Sequence, residues 1–360
     1  MRILLSLLAI LGAFSAFSAD EKAKDTAVAL KGEKTPGGGY KIYFAEDKSS
    51  FLSLTGYTRF QTSWNLDDKQ NTDAGKFTMP YFRFYLDGQS DKNWSWHTRF
   101  DYSQAWFMSR QTDIKSTNTA GTKYGAAGLY FARAYVTYSA NDNFKVDFGR
   151  ISNQIYRFDV INNADIKVGY GIMPKFTYND FSFTTTINYN NEAQRMGPAN
   201  DNTTDNQRPN QIVTLGGRAG YNYKINKDWN FGVGMMVNGD TQHSYEKLMQ
   251  LMPDVMLTGP NDFYVLNQTL KRVSNRNTPN FYESYTEAGI GFNGFWFPDI
   301  NYAIEKDEAA KDSKHTVAAE LFLKHSAQIS TLWTVIYGNY LSETPEERTK
   351  SFKAWIQYDF

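Results

Sequence analysis

Residues 351–360, "SFKAWIQYDF", decide the fold. Read in steps of two, one register holds Phe352, Ala354, Ile356, Tyr358 and Phe360, and the other holds Ser351, Lys353, Trp355, Gln357 and Asp359. An apolar rank alternating with a mostly polar one is the period of a β-strand with one greasy face. The pattern runs to the final ring with no polar tail, although chain ends are ordinarily polar and frayed. A terminus written this way is expected to be held in a sheet.

The same period recurs upstream over unusually long stretches. "FLSLTGYTRFQTSWNL" (51–66) sets Leu52, Leu54, Phe60, Trp64 and Leu66 against a rank that includes Tyr57, Arg59 and Gln61. A half-buried strand of a soluble protein is about five or six residues, whereas a tilted strand crossing a bilayer needs about 9–11. "PYFRFYLDG" (80–88) sets Phe82, Phe84 and Leu86 against Tyr81, Arg83, Tyr85 and Asp87. "NWSWHTRFDYSQAW" (93–106) sets Trp94, Trp96, Phe100, Tyr102 and Trp106 against His97, Arg99 and Asp101. In "LYFARAYVTYS" (129–139) Ala134, Val136 and Tyr138 oppose Arg133, Tyr135 and Thr137, and in "NFKVDFG" (143–149) Phe144, Val146 and Phe148 oppose Lys145 and Asp147.

Further segments are expected at 166–178, 181–190, 211–224, 228–239, 282–297, 299–306, 313–324, 327–340 and 350–360. The total is about fourteen strands, with short turns ("QSDK", "ANDN", "ND", "INKD", "PD", "HSA") alternating with long polar connections. That asymmetry belongs to transmembrane antiparallel β-barrels, with short periplasmic turns and long extracellular loops. The stretch 240–281 is taken as one long ordered loop. A hidden hairpin there would raise the count to sixteen, and "SYEKLMQLM" (244–252) could instead form a short amphipathic helix at the pore mouth or a trimer contact.

Composition agrees with an exported all-β barrel. Residues 1–19, "MRILLSLLAILGAFSAFSA", carry one early charge, an apolar run and small residues, as a secretory signal peptide does; cleavage is expected near 18 or 19. Residues 20–50 read as a flexible periplasmic lead, in which "YKIYF" (40–44) has the pattern of a short strand. The barrel is then 51–360. Aromatics make up 16% of the chain, cysteine is absent, and 38 Lys and Arg balance 38 Asp and Glu. Such a balance argues against a nucleic-acid binder, and a barrel is greasy on one side of each strand only.

A closed barrel has no free edge, so the last strand must pair with the first. Phe352, Ala354, Ile356, Tyr358 and Phe360 would then face lipid. This rank also resembles the signature read by the barrel-assembly machinery during insertion. The opposite ranks line the lumen, placing Arg59, Arg83, Arg99, Arg133 and Lys145 on five successive strands, with Asp87, Asp101 and Asp147 in the same registers and Tyr57, Tyr85 and Tyr135 among them. Neighbouring strands lie about 4.8 Å apart, close enough for a cationic ladder.

After the fifth strand comes "FGRISNQIYRFDVINNAD" (148–165), which is similar to the general trimeric porins of Gram-negative outer membranes. There a strand ending in Gly-Arg, here Gly149 and Arg150, leads into a third external loop folded into the lumen. The resemblance implies an in-folded loop at about 152–165, places Arg150 at the pore constriction, and sets Asp159 and Asp165 against Arg83, Arg99 and Arg133. It also implies a homotrimer. Basic side chains lining a narrow passage favour anions, so a weakly anion-preferring or non-selective pore for small hydrophilic solutes is expected, set among outer-membrane lipid and lipopolysaccharide and using no cofactor. A substrate-selective channel for anions or sugars, and a structural or adhesive barrel with an occluded lumen, are the alternatives. An enzyme is not expected: His97 and Asp101 stand about 13 Å apart along one strand, and neither phosphate loop nor metal cluster is written in the chain.

Overall fold

The computed structural model describes residues 31–35, 38–66, 76–102, 130–152, 157, 168–190, 212–241, 247–274, 280–307, 312–341 and 348–360. Two short strands, β1 (Lys31–Lys34) and β2 (Tyr40–Tyr43), precede the barrel. Its first half is β3 (Phe51–Asn65), β4 (Lys76–Gln89), β5 (Trp94–Tyr102), β6 (Tyr130–Asn141), β7 (Phe144–Ser152), β8 (Val168–Tyr178), β9 (Phe181–Asn190) and β10 (Ile212–Lys224). The second half is β11 (Asn230–Thr241), β12 (Lys247–Thr258), β13 (Tyr264–Ser274), β14 (Phe281–Gly289), β15 (Trp296–Asp307), β16 (Asp312–Lys324), β17 (Ile329–Leu341) and β18 (Arg348–Asp359).

Each of the strands β3 to β18 pairs antiparallel with the next, and β18 pairs back with β3, from Ser351 opposite Asn65 to Asp359 opposite Tyr57. The result is a closed barrel of sixteen strands. Closure satisfies every edge, which a membrane-spanning sheet requires because lipid offers no hydrogen bonds. Side chains sort by rank as the alternation demands. Phe148, Ile172, Phe183, Leu215, Val237, Ile300, Val335 and Ile356 are exposed on the outer face, and their intervening neighbours point inward.

The short connections are built by their own polar residues. Asp91, Asn141 and Asn226 accept backbone N–H bonds from residues two and three positions on, and Ser326 does the same with its hydroxyl. These are the side-chain turns for which Asx and Ser are favoured.

Three sequence expectations are corrected. The chain has sixteen barrel strands rather than fourteen, because 247–258 and 264–274 are β12 and β13 and not parts of one loop. "PD" (298–299) lies inside β15, and the connection before it is 290–295. The stretch 31–43, read as part of a flexible lead, is a hairpin.

The hairpin bears on the seam. Phe360 exchanges two backbone bonds with Gly56 (2.6 and 2.8 Å), and immediately beyond it β2 takes over the same edge of β3, with Tyr40 opposite Leu54 and Tyr43 opposite Phe51. The Phe360 ring lies against Phe82 at 5.8 Å and over Gly56, where an added Cβ would sit 2.7 Å from the ring.

Candidate functional site

Inside the barrel the first wall is basic. Tyr57 pairs with Arg83, Tyr85 with Arg99, and Arg99 with Arg133, so Arg59, Arg83, Arg99 and Arg133 run across β3 to β6 with at most two residues of offset per step. Asp101, buried between them, accepts two bonds from Arg83 (2.7 and 3.0 Å) and further bonds from Arg99. Arg59 donates to Gln357 at 2.9 Å, and its guanidinium lies 4.3 Å from the Trp355 ring centre. Tyr57 lies under this band, 5.4 Å from the Arg83 guanidinium.

The other expected residues are placed as follows. Asp87 meets His97 across the strand pair at 3.2 Å, and Tyr135 lies against the His97 ring at 5.0 Å. Asp147 is buried, takes the Thr137 hydroxyl at 2.8 Å and pairs with Lys175 at 2.5 Å. Lys145 shares the Asp147 rank near the short-turn end and is exposed. Arg150 is a correction: it pairs with Ala134 and Tyr170 on the rank of exposed Phe148 and Val136, one residue out of phase with Asp147, so it belongs to the outer face. Asp159 and Asp165 lie outside the described residues.

Other charges went unnoticed in the sequence. Glu287, Asp299 and Glu320 gather on β14 to β16, where Asp299 pairs directly with Glu320 and Glu287 with Asn301. Tyr264 and Tyr285 both donate to Glu287. On β10 and β12, Arg218 holds Asp254 through two bonds of 2.9 Å. Arg157, from the connection after β7, reaches the inner face of β11: an added Cβ at Gly232 would sit 2.0 Å from its Nη1. This connection therefore sends at least one side chain into the lumen.

Burial divides the interior. Thr186, Asn188, Thr214, Met236, Gln250, Met252, Gln268, Leu270 and Glu283, all on inward ranks of β9 to β14, are less than 2% exposed. Ile151 of β7 and Met173 of β8 join Met236, Met252 and Leu270 of β11 to β13 in an apolar cluster. The arginine band opposite is only half-buried. One side of the barrel is closely packed, and the other carries the half-buried arginine band.

The architecture agrees with solved structures. The anion-selective porin from Comamonas acidovorans superposes with a TM-score of 0.57 at 12% identity, over 86% of this chain and 100% of that one. The fold is that of the porins. OmpF of Salmonella typhi, solved with daunomycin, gives 0.59 at 13% identity over 88% and 99%. The trimer form of OmpT, an outer membrane protein of Vibrio cholerae, gives 0.56 at 9% over 87% and 100%. No family model and no curated protein matches the chain.

Proposed function

We propose that the chain is an outer-membrane porin, a water-filled channel for passive diffusion of small hydrophilic solutes and ions with a weak preference for anions. The observation that carries this reading is the unequal lining. Four arginines stand on adjacent strands, and two of them, Arg83 and Arg99, hold one buried carboxylate, Asp101, while the inward residues of the opposite half of the wall are closely packed. Rings of basic side chains favour anions in a narrow passage. The acidic group Glu287, Asp299 and Glu320 on another wall sets up a transverse field that limits the preference and orients dipolar solutes.

The same reading puts the short turns, both termini and the β1–β2 hairpin on the periplasmic side, after removal of residues 1–19. It takes the homotrimer as the working assembly, in keeping with the trimer form of the Vibrio cholerae neighbour.

An enzymatic reading has one observation behind it: Ser95, His97 and Asp87 line up, at 3.4 Å and 3.2 Å. The arrangement follows from strand geometry. Ser313 and His315 repeat it at 3.4 Å on the outer face, where Tyr302 is the partner. Strand N–H groups are committed to the ladder and supply no oxyanion hole. Covalent capture of Ser95 by a fluorophosphonate would overturn this judgement.

The channel reading is tested by recording the purified, heat-modifiable protein in planar bilayers under a salt gradient. Discrete current steps with a reversal potential displaced modestly towards the anion value are expected. A barrel that inserts without steps refutes it.

A further inference from the structure

We propose that the lumen holds an oxyanion-binding recess on the wall opposite the arginine band, formed by Arg157 and Arg218 over a floor of glycines. The inward positions of β10 and β11 place Gly220 opposite Gly234 and Asn222 opposite Gly232. Three of these four floor positions lack a side chain, and the space is taken up by guanidinium groups. An added Cβ at Gly232 would meet Arg157, at Gly234 it would meet Arg218 Nη2 at 2.2 Å, and at Gly220 it would meet Arg218 Nη1 at 2.8 Å.

The two edges of Arg218 face different ways. Nε and Nη2 are turned to Asp254, which is fully buried. Nη1 is turned towards Gly220, where the Ser182 hydroxyl also converges, 3.0 Å from the same point. Between Arg157, Arg218, Ser182, Gly220 and Asn222 lies a cavity of about 100 Å³. Among the described residues the recess brings together two guanidinium groups, of which that of Arg218 is bound to Asp254, and the other polar groups around it are the Ser182 hydroxyl and the Asn222 amide. A forked guanidinium edge matches the oxygens of a phosphate or carboxylate better than it matches a spherical halide. The cavity suits a tetrahedral oxyanion or the carboxylate head of a short organic acid. The inference rests on the channel reading for the route by which the anion arrives.

The test is binding of inorganic phosphate to the purified, folded barrel by equilibrium dialysis, which does not need an open pore. A saturable site is expected in the wild type. Arg157→Gln should weaken it about tenfold, the loss of one charge-assisted contact of roughly 1.4 kcal/mol. Gly232→Val, which fills the floor, should abolish it while heat-modifiable mobility is kept. If Gly232→Val fails to fold, Arg157→Gln and Ser182→Ala decide the matter, since neither adds bulk to the wall. Absence of saturable binding in the wild type, or unchanged binding in Arg157→Gln, overturns the proposal. A conducting barrel without this binding contradicts the recess alone, and a binding barrel that passes no current contradicts the channel reading alone.

Discussion

Replacing Asp101 with Asn removes the carboxylate that joins the arginine band while keeping its shape. Asp101 has a side chain 5% exposed, and its partners Arg83 and Arg99 are 19% and 22% exposed. Removing one partner of a buried ion pair costs about 3–5 kcal/mol, chiefly because the remaining charge is left uncompensated. Both arginines keep some contact with water, so the lower end, about 3 kcal/mol, is expected. The variant also adds one positive charge to the passage. For an ion about 10 Å away in water this amounts to roughly 0.4 kcal/mol, about a doubling of local anion occupancy with a matching loss of cations. Two assays follow: urea unfolding of the detergent-solubilised barrel, and reversal potential in dilute salt, where screening is weak. Asp101→Asn should unfold at lower urea and shift the potential towards the anion value. If neither quantity moves, Asp101 does not organise a basic wall and the charge reasoning fails.

Other outcomes follow from the same contacts. Arg83→Glu combined with Arg99→Glu should turn the ion preference towards cations in the salt-gradient measurement; an unchanged preference removes the basic band from the account. Gly56→Val should destabilise the seam by about 1–3 kcal/mol through overpacking, because a Cβ there meets Arg83 O at 2.5 Å and the Phe360 ring at 2.7 Å. Slower refolding into the heat-modifiable form would register it, and wild-type refolding would place the ring elsewhere. In the hairpin, the Tyr43 hydroxyl and then the Lys48 ammonium hold the Glu33 carboxyl below its usual range. A depressed carboxyl stabilises above its unfolded value, and that contribution is lost as pH falls through the folded one. Proteolysis between residues 31 and 43 by an acid-active protease should therefore rise as the pH is lowered through and below the ordinary carboxylate range, and rise less in Glu33→Gln.

The barrel was legible wherever one rank was greasy and the other polar. It failed where the inward residues are closely packed. In β12 the inward Met252 is buried beside Gln250 and Asp254, and outward Pro253 interrupts the run, so neither rank reads cleanly. A proline has no N–H to give to a ladder, which counts against a strand on sequence alone. In β13 the pattern inverts: Leu266 and Leu270 point into the closely packed half, while Asn267 and Thr269 face outward and bond to Ser284 and Thr286 on β14. Close packing along this half of the wall removes the polar-in signal on which the period depends.

The site divides in the same way. Arg83, Arg99 and Asp101 could be placed by counting twos from the outward aromatic rank of Phe82, Phe84 and Phe100. Arg150 was assigned from a local motif, and the same counting puts it outside. The partners of His97 and Arg218 are cross-strand, which depends on a register that one strand does not encode. The glycine floor did leave a trace, since "GRAG" (217–220) and "GVG" (232–234) put glycine on inward positions of adjacent strands. The reach of Arg157 to that floor is tertiary and left none.

The central claim, a wet lumen behind a lipid-facing rank, is tested most directly at two adjacent residues of β3. The chain has no cysteine, so Arg59→Cys and Phe60→Cys each introduce a single reporter. A charged, membrane-impermeant thiol reagent applied during single-channel recording should alter the current of Arg59→Cys in one step and leave Phe60→Cys unchanged. Equal reaction at both positions, or none at Arg59→Cys in a conducting channel, would contradict it.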